Sequence, residues 1–203
     1  MIKDLIVKNR SFRRFYEEVA IERGTLEELI DLARLSASAA NLQPLKYIIS
    51  CGRGKNALIF PHLAWAGYLK DWPGPEEGER PAAYIIILVD KEIIGSLKGD
   101  RGIAGVLRAV GCDHGIAAQS ILLGATEKGL GGCIICSVQR KALSKALKIP
   151  SRYQILLVLA LGKPKETVKI ETVGADGSIK YWRDNNGVHH VPKRPLEAII
   201  IDL

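Results

Sequence analysis

The sequence lacks the segments that mark membrane and secreted proteins. No apolar run approaches the roughly 20 residues that a membrane-spanning helix requires. The N-terminal stretch Met-Ile-Lys-Asp-Leu-Ile-Val-Lys is too short and too charged for a secretory signal. Internal repeats and low-complexity tracts are also missing. We therefore expect a cytoplasmic protein with no membrane partner.

A basic tract of the kind that binds nucleic acid is missing as well. The formal net charge is +7, but the lysines and arginines are scattered and often alternate with acidic residues. No run of them is interleaved with aromatic side chains, so we expect no nucleic-acid partner. A basic surface also attracts phosphorylated small molecules, and that class of ligand stays open.

Cysteine is scarce, and no complete metal-binding motif is present. Two of the four cysteines form the pair Cys133-Ile-Ile-Cys136, which has zinc-like or thioredoxin-like spacing. The pair lies in an apolar segment typical of a buried strand, where residues three apart face opposite sides. Buried thiols are therefore favoured over metal or redox chemistry. His189 and His190 are interpreted as a loop pair, so we expect no metal site.

What is present is an ordinary globular composition, with 47% hydrophobic and 25% charged residues. A chain of 203 residues can bury a core as one domain over residues 1–203. The pattern predicts an α+β fold, with a central sheet flanked by helices. Helices are predicted over residues 25–36, 61–69 and 113–128, and strands over residues 46–51, 83–89, 133–136 and 155–161.

The ends of these helices carry local signals. Thr25 and Glu28 have the spacing of a capping box. Asp113 is interpreted as the N-cap of the longest helix, which Gly129 ends. Ser137 is expected to cap the helix that follows the strand over residues 133–136.

Two polar segments could bind a phosphorylated ligand that carries a flat ring. Arg10, Ser11 and Arg13 combine guanidinium forks with a hydroxyl, a combination that suits phosphate oxygens. Residues 38–44 read Ser-Ala-Ala-Asn-Leu-Gln-Pro, and the amides of Asn41 and Gln43 match the edge of a uracil-like ring. Taken alone, the first segment also suits a solvated basic surface, and the second a turn that ends a helix.

Two later segments add to this interpretation. The glycines at residues 129–132 allow a close backbone approach to a flat ligand, although no GxGxxG or Walker loop occurs anywhere in the chain. Lys193 and Arg194 follow a proline near the end of the chain and, if close to Arg10, would complete a site for a dianion. Taken alone, they are an ordinary surface pair.

The order of these segments resembles that of the FMN-dependent nitroreductase superfamily, in particular a compact branch of it. The resemblance is carried by Arg-Ser-x-Arg at residues 10–13, Ser-x-x-Asn-x-Gln-Pro at 38–44, Gly-Leu-Gly at 129–131 and Ala-Leu-Gly-x-Pro at 160–164. It spans nearly the whole chain. It implies a nitroreductase-like fold with a mixed or antiparallel central sheet and an intertwined homodimer. The C-terminal tail, about residues 181–203, would extend onto the partner subunit.

The resemblance also implies two FMN sites at the dimer interface. The N-terminal cluster would contact the phosphate and the pyrimidine edge, with Arg13 near N1 and O2. The 38–44 loop would arrive from the partner subunit, residues 135–137 would present a backbone N–H near N5, and the late basic pair would close on the phosphate. The implied FMN-binding residues are Arg10, Ser11, Arg13, Ser38, Ala39, Asn41, Gln43, Ile135, Cys136, Ser137, Lys193 and Arg194.

The implied activity is that of an oxidoreductase with tightly bound, non-covalent FMN. NAD(P)H would deliver hydride to flavin N5, and a nitroaromatic, a quinone or a similar small acceptor would then take the electrons in a ping-pong cycle. No catalytic side chain is expected, because the flavin carries the chemistry. Two alternatives stay open: a non-catalytic flavin- or nucleotide-binding module, and a specialised flavin reaction on the same scaffold. Whether Trp65, Tyr68 and Trp72 line the substrate pocket also stays open, as does the role of the basic stretch 91–108.

Overall fold

The computed structural model describes residues 1–69, 71–95 and 103–202, and for residues 103–110 it describes the helical backbone alone. The helices are α1 (Ile2–Lys8), α2 (Arg23–Arg34), α3 (Arg53–Ile59), α4 (Lys91–Gly95), α5 (Ile103–Glu127) and α6 (Arg140–Ala146). The strands are β1 (Phe15–Tyr16), β2 (Leu45–Ser50), β3 (Ala83–Asp90), β4 (Gly131–Ile135), β5 (Tyr153–Pro164), β6 (Val168–Thr172), β7 (Trp182–Arg183) and β8 (His189–Lys193).

The main sheet is built around β3 and β5. In the described part of the chain it has five strands, in the order β1-β5-β3-β2, and β4 also pairs with β5. Every pairing in this sheet is antiparallel. All eight residues of β3 are buried, as the continuous apolar run predicts for a central strand covered on both faces.

Two hydrophobic clusters cover the two faces of this sheet. Because side chains alternate along a strand, Ile85 and Ile87 of β3 pack on one side while Ile86 and Leu88 pack on the other. The first cluster includes the buried faces of α2 and α5. The second includes residues of α3, α6 and the 60–72 segment. The predicted α+β architecture, with helices on a central antiparallel sheet, is therefore confirmed.

A smaller sheet follows β5. It has the order β6-β8-β7, with β8 parallel to β6 and antiparallel to β7. Residues 182–193 are therefore paired within their own subunit for most of their length. The extension of the tail, about residues 181–203, onto a partner subunit stays a prediction. Among the described residues, no helix is both long and apolar enough to cross a bilayer.

Several predicted helix ends are wrong. α2 begins at Arg23 with Glu22 as its N-cap, so Thr25 lies inside the helix and does not cap it. α6 begins at Arg140 with Gln139 as its N-cap, and Ser137 is not its cap. Local capping signals failed here because burial of an apolar face, rather than a single cap, decides where such helices start.

Two further helix predictions need correction, and one end is confirmed. α5 begins at Ile103, ten residues before Asp113, so Asp113 lies within the helix. Residues 61–69 do not form a helix; a single 3-10 turn, Phe60–His62, precedes turns. Gly129 ends α5 with φ of +72°, the left-handed conformation expected of a helix-ending glycine. Of the basic stretch 91–108, residues 96–102 lie outside the described part of the chain.

Candidate active site

The N-terminal cluster is held against strand β4 by backbone hydrogen bonds. α1 ends at Asn9, whose backbone is extended, and the chain then runs along the edge of β4. Ser11 forms a parallel bridge with Gly132, and the amide of Phe12 donates to the carbonyl of Gly132 at 3.0 Å. Gly132 is required for this packing, since a Cβ there would lie 2.7 Å from the carbonyl oxygen of Ala160. The arginine-serine cluster and the glycine segment are thus neighbours.

A basic cavity of about 260 Å³ opens at this junction. None of the residues that the structure shows lining it is acidic. Burial lowers the pKa of Arg10, whose Nη2 donates to the carbonyl of Ile6 at 2.6 Å. Its Nε is buried and lacks a hydrogen-bond partner in the described part of the chain. The lining includes Asn9, Arg10, Ser11, Arg13, Gln119, His189 and Lys193.

A second cavity, of about 320 Å³, lies at the C-terminal end of β4 and is called the strand-end cavity here. Residues 135–137 line it, and Trp65 lies across from the same strand end. The amide of Ala64 donates to the carbonyl of Ser137 at 3.0 Å, which fixes the 64–67 segment beside the strand. Three residues line both cavities, namely Arg13, Ile134 and Tyr181. The two spaces therefore adjoin at Arg13.

The guanidinium group of Arg13 is held from several sides. Its Nη1 donates to the carbonyl of Ser11 at 3.2 Å and lies 3.1 Å from Nε2 of His189. The ring of Tyr181 lies 4.8 Å from the guanidinium carbon, within cation–π range. Arg13 is 9% exposed, so this charge sits largely out of water. The sequence indicated Arg13 itself but not these partners.

A buried carboxylate fixes the backbone under Arg13. The side chain of Glu166 is 2% exposed, and Oε1 accepts from the backbone amides of Arg13 and Arg14. Its Oε2 accepts from Nη2 of Arg183 at 3.0 Å, and that guanidinium lies over the ring of Trp72. Sequence reasoning missed Glu166, because the backbone amides that it binds are about 150 positions away and no local motif marks it.

The 38–44 loop is held by Asp113, which lies in α5. The hydroxyl of Ser38 donates to Oδ2 of Asp113 at 2.6 Å, and the amide of Ala39 donates to Oδ1 at 3.1 Å. Nε2 of Gln43 donates to Oδ1 of Asn41 at 3.0 Å. Three residues of this loop have positive φ, a conformation that persists only where surrounding contacts hold the backbone in place. Asp113 therefore fixes the loop through these hydrogen bonds, and the prediction that it caps a helix is wrong.

The structure brings most, but not all, of the predicted site residues together. Ser38 and Gln43 line a cavity of about 210 Å³ that shares no lining residue with the basic or the strand-end cavity. Arg194 is exposed and is not among the residues lining these cavities. The predicted residues that line the basic or the strand-end cavity are Arg10, Ser11, Arg13, Ile135, Cys136, Ser137 and Lys193.

The remaining candidates are also placed by the structure. The prediction of buried thiols is confirmed for Cys133 but wrong for Cys136, which is exposed because β4 ends at Ile135. No group of three or more metal-ligating side chains occurs among the described residues. Trp65 is both part of the core and a lining residue. The interpretation of His189 and His190 as a loop pair is wrong, since both lie in β8.

Comparison with known proteins identifies the fold and the family. The family model described as "Nitroreductase family" matches residues 6–163. The chain belongs to the nitroreductase family. A 4-nitrobenzoate reductase from Nocardioides sp. (strain LMS-CY) is 26% identical over 195 residues, which covers 78% of this chain and 79% of the relative.

Solved structures of family members share this fold. A nitroreductase family protein from Streptococcus pneumoniae TIGR4 superposes with a TM-score of 0.71 at 17% identity, and each chain is covered completely. The NADPH:FMN oxidoreductase from Vibrio harveyi, solved with NAD⁺, has a TM-score of 0.63 at 21% identity and covers 86% of this chain and 74% of its own. The nitroreductase fold is thus confirmed for this chain.

Proposed function

We propose that this nitroreductase family member is an FMN-dependent oxidoreductase that uses NAD(P)H to reduce nitroaromatic, quinone or similar acceptors in a ping-pong cycle. The observation that carries the proposal is the junction of the two cavities at Arg13, with cations on one side and the β4 strand end on the other. A phosphorylated cofactor with a flat ring has these two parts in this order.

The basic cavity fits the phosphate end of FMN. It offers two arginines, Lys193 and the hydroxyl of Ser11, and none of its described lining residues is acidic to oppose a dianion. The buried Nε of Arg10 has no hydrogen-bond partner among the described residues, and an anionic oxygen would satisfy it. Family membership and the FMN named for the Vibrio harveyi oxidoreductase support the same assignment.

The strand-end cavity fits the ring end. When bound there, FMN supplies hydride acceptance from NAD(P)H and delivery to the acceptor. Residues 135–137 offer backbone groups to the ring edge, and Trp65 and Ile134 exclude water from one side of it. Arg13 places a fixed positive charge at the junction, where it favours negative charge on the ring system. We expect no side-chain acid or base.

We propose that the site is completed by a second subunit in a homodimer. Within one chain, the 38–44 loop lines a cavity that shares no residue with the FMN cavities, so this loop would reach the cofactor of the partner subunit. Asp113 then holds Ser38 and Ala39 ready for that contact. Arg194 lies outside the cavities but directly follows Lys193, and we assign it to the closing phosphate contact in the dimer.

The test begins with the purified protein. It is expected to be yellow, to release FMN on denaturation, and to be bleached by NADH or NADPH without oxygen and recoloured by a nitroaromatic. Colourless protein that takes up no FMN contradicts the proposal. Flavin that neither nicotinamide reduces indicates a binding module, and reduced flavin that neither a nitroaromatic nor a quinone reoxidises indicates a specialised reaction.

A pair of arginine variants tests the placement of the phosphate. Arg10→Met removes a cation from the basic cavity, and we expect FMN to bind at least about tenfold more weakly because a charge-assisted hydrogen bond is lost. Arg23→Met removes an exposed arginine of α2 that pairs with Glu27 and is the matched control. Equal FMN affinities in the two variants would remove Arg10 from the site.

A further inference from the structure

His189 is a fully buried histidine that lines the basic cavity and contacts Arg13 and Tyr181. It lies at the start of β8 with 0% exposure. Its Nε2 is 3.1 Å from Nη1 of Arg13, and its ring centroid is 5.1 Å from that of Tyr181. Tyr181 in turn covers the guanidinium of Arg13. The three side chains form one packed group at the point where the two cavities meet.

The chemistry of arginine determines the protonation state of this histidine. A guanidinium group has donors and no acceptor, so Nε2 of His189 must accept the hydrogen bond and the imidazole must be neutral. The proton then resides on Nδ1, which is buried and has no hydrogen-bond partner among the described residues. The tautomer is thus set by Arg13 and not by an acceptor on the other side of the ring.

The surrounding charges favour the neutral form as well. Besides Tyr181, whose ring packs against it, the titratable groups that act on His189 are Arg13, Arg183 and the adjacent His190, and none of these is a carboxylate. Burial, followed by the field of these groups, lowers the pKa of His189 to about 4. Near neutral pH the imidazole therefore remains an acceptor for Arg13.

We propose that His189 is a positioning residue of the cofactor site, whose neutral imidazole holds the guanidinium of Arg13 at the junction of the two cavities. The inference rests on the proposed FMN function. Glu166 fixes only the backbone of Arg13, and the carbonyl of Ser11 is the other hydrogen-bond acceptor of its guanidinium within the described part of the chain. Without the imidazole, the cation would keep one acceptor and the face of Tyr181, and its position against the cofactor would loosen.

The first test needs no cofactor. In protein labelled with ¹⁵N, the ring nitrogen shifts of His189 at pH 7 are expected to be those of a neutral imidazole protonated at Nδ1. A proton on Nε2, or a charged ring, would contradict the pairing with Arg13. This measurement stays informative if the protein fails to bind FMN, so a failure of the proposed function and a failure of this inference can be told apart.

The second test compares three variants by FMN affinity and by the midpoint potential of the bound flavin. His189→Leu removes the acceptor, and we expect FMN to bind about tenfold more weakly and the potential to become more negative, because the cation that favours reduced flavin is less well placed. His189→Gln keeps an acceptor near the position of Nε2 and should restore affinity to within about twofold of wild type. His190→Leu, on the same strand but directed to Glu171 and Asp184, is the matched control and should retain the wild-type potential.

The outcomes separate positioning from general packing. Wild-type affinity and potential in His189→Leu would overturn the inference, as would equal losses in the leucine and glutamine variants. If His189→Leu does not fold, as judged by its thermal unfolding, the comparison of wild type with His189→Gln and the tautomer measurement decide the question by themselves.

Discussion

The pKa values of the two adjacent histidines on β8 are shifted in opposite directions. Nδ1 of His190 lies 2.7 Å from Oε1 of Glu171, and its Nε2 lies 3.2 Å from Oδ2 of Asp184. These hydrogen bonds to Glu171 and Asp184 raise the pKa of His190 above its ordinary value of 6.5. The neighbouring His189 has its pKa lowered, because it is buried among cations. The alternation of a strand thus places one histidine among cations and the next among carboxylates.

The stability of the protein should reflect the raised pKa of His190. Its ion pairs contribute fully below pH 6.5, where the unfolded chain also carries the proton, and are lost as pH rises through the folded-state pKa. We therefore expect wild type to exceed His190→Gln in melting temperature at about pH 6, and the gap to narrow by about pH 9. Thermal unfolding of both proteins across that range checks this, and a gap that does not change with pH would contradict it.

At the scale of single residues, the sequence predicts the cations of the site better than it predicts what holds them. Arg10, Ser11 and Arg13 stand together in one motif, and chemistry alone suggests their ligand. His189 and Glu166 approach Arg13 from positions about 150 or more residues away, where no spacing rule applies. Asp113 carries a signal that is misleading, because aspartate is a common helix cap and its real partners lie in the 38–44 loop.

Among the elements, β4 is closely packed against both of its neighbours. It runs between β5 and the N-terminal segment, and its glycines leave no space for a side chain. A Cβ on Gly132 would meet a backbone carbonyl of β5 at 2.7 Å, which a rotamer change cannot relieve. The close approach of β4 to both neighbours places Arg13 beside the strand end.

Replacement of Gly132 by alanine should therefore weaken the protein. We expect Gly132→Ala to lower the free energy of unfolding by about 1–3 kcal/mol, the usual cost of overpacking a core. Gly24→Ala in α2 is the control, because no atom lies within 4 Å of its added Cβ. It should be neutral or stabilise by about 0.5–1 kcal/mol. Urea denaturation measures both, and equal effects at the two glycines would contradict the packing argument.

Elements differ in how well the sequence predicts them, for a physical reason. The bounds of β3 agree with the prediction within one residue, because a continuous apolar run of this length is typical of a strand buried on both faces. The start of α5 lies ten residues before the predicted one, because glycine and basic residues upstream of Asp113 obscure the apolar periodicity of a helix in the sequence. The 61–69 segment has helix-like composition, but the backbone of His62 and Ala64 forms hydrogen bonds with Gln139 and Ser137 instead of forming a helix.

On the scale of the whole molecule, both ends of the described chain carry exposed apolar side chains. α1 has no buried residue, and Ile2, Ile6 and Val7 are exposed on it. The tail after Lys193 exposes Ile199, Ile200 and Ile201. Clustered apolar surface of this kind marks an interaction site. We expect the proposed homodimer to cover both regions.

Dimerisation can be tested separately from the cofactor. We expect the wild type to be a dimer by light scattering after size exclusion, and Ile199→Asp combined with Ile201→Asp to shift it toward the monomer, since two charges cannot be buried in an apolar interface without cost. The monomer should bind FMN at least about tenfold more weakly, because the 38–44 loop of the proposed site comes from the partner. Ile179→Asp changes an exposed isoleucine outside both regions and should remain a dimer. A wild-type monomer that binds FMN tightly would show instead that one subunit completes its own site, with the 38–44 loop serving another purpose.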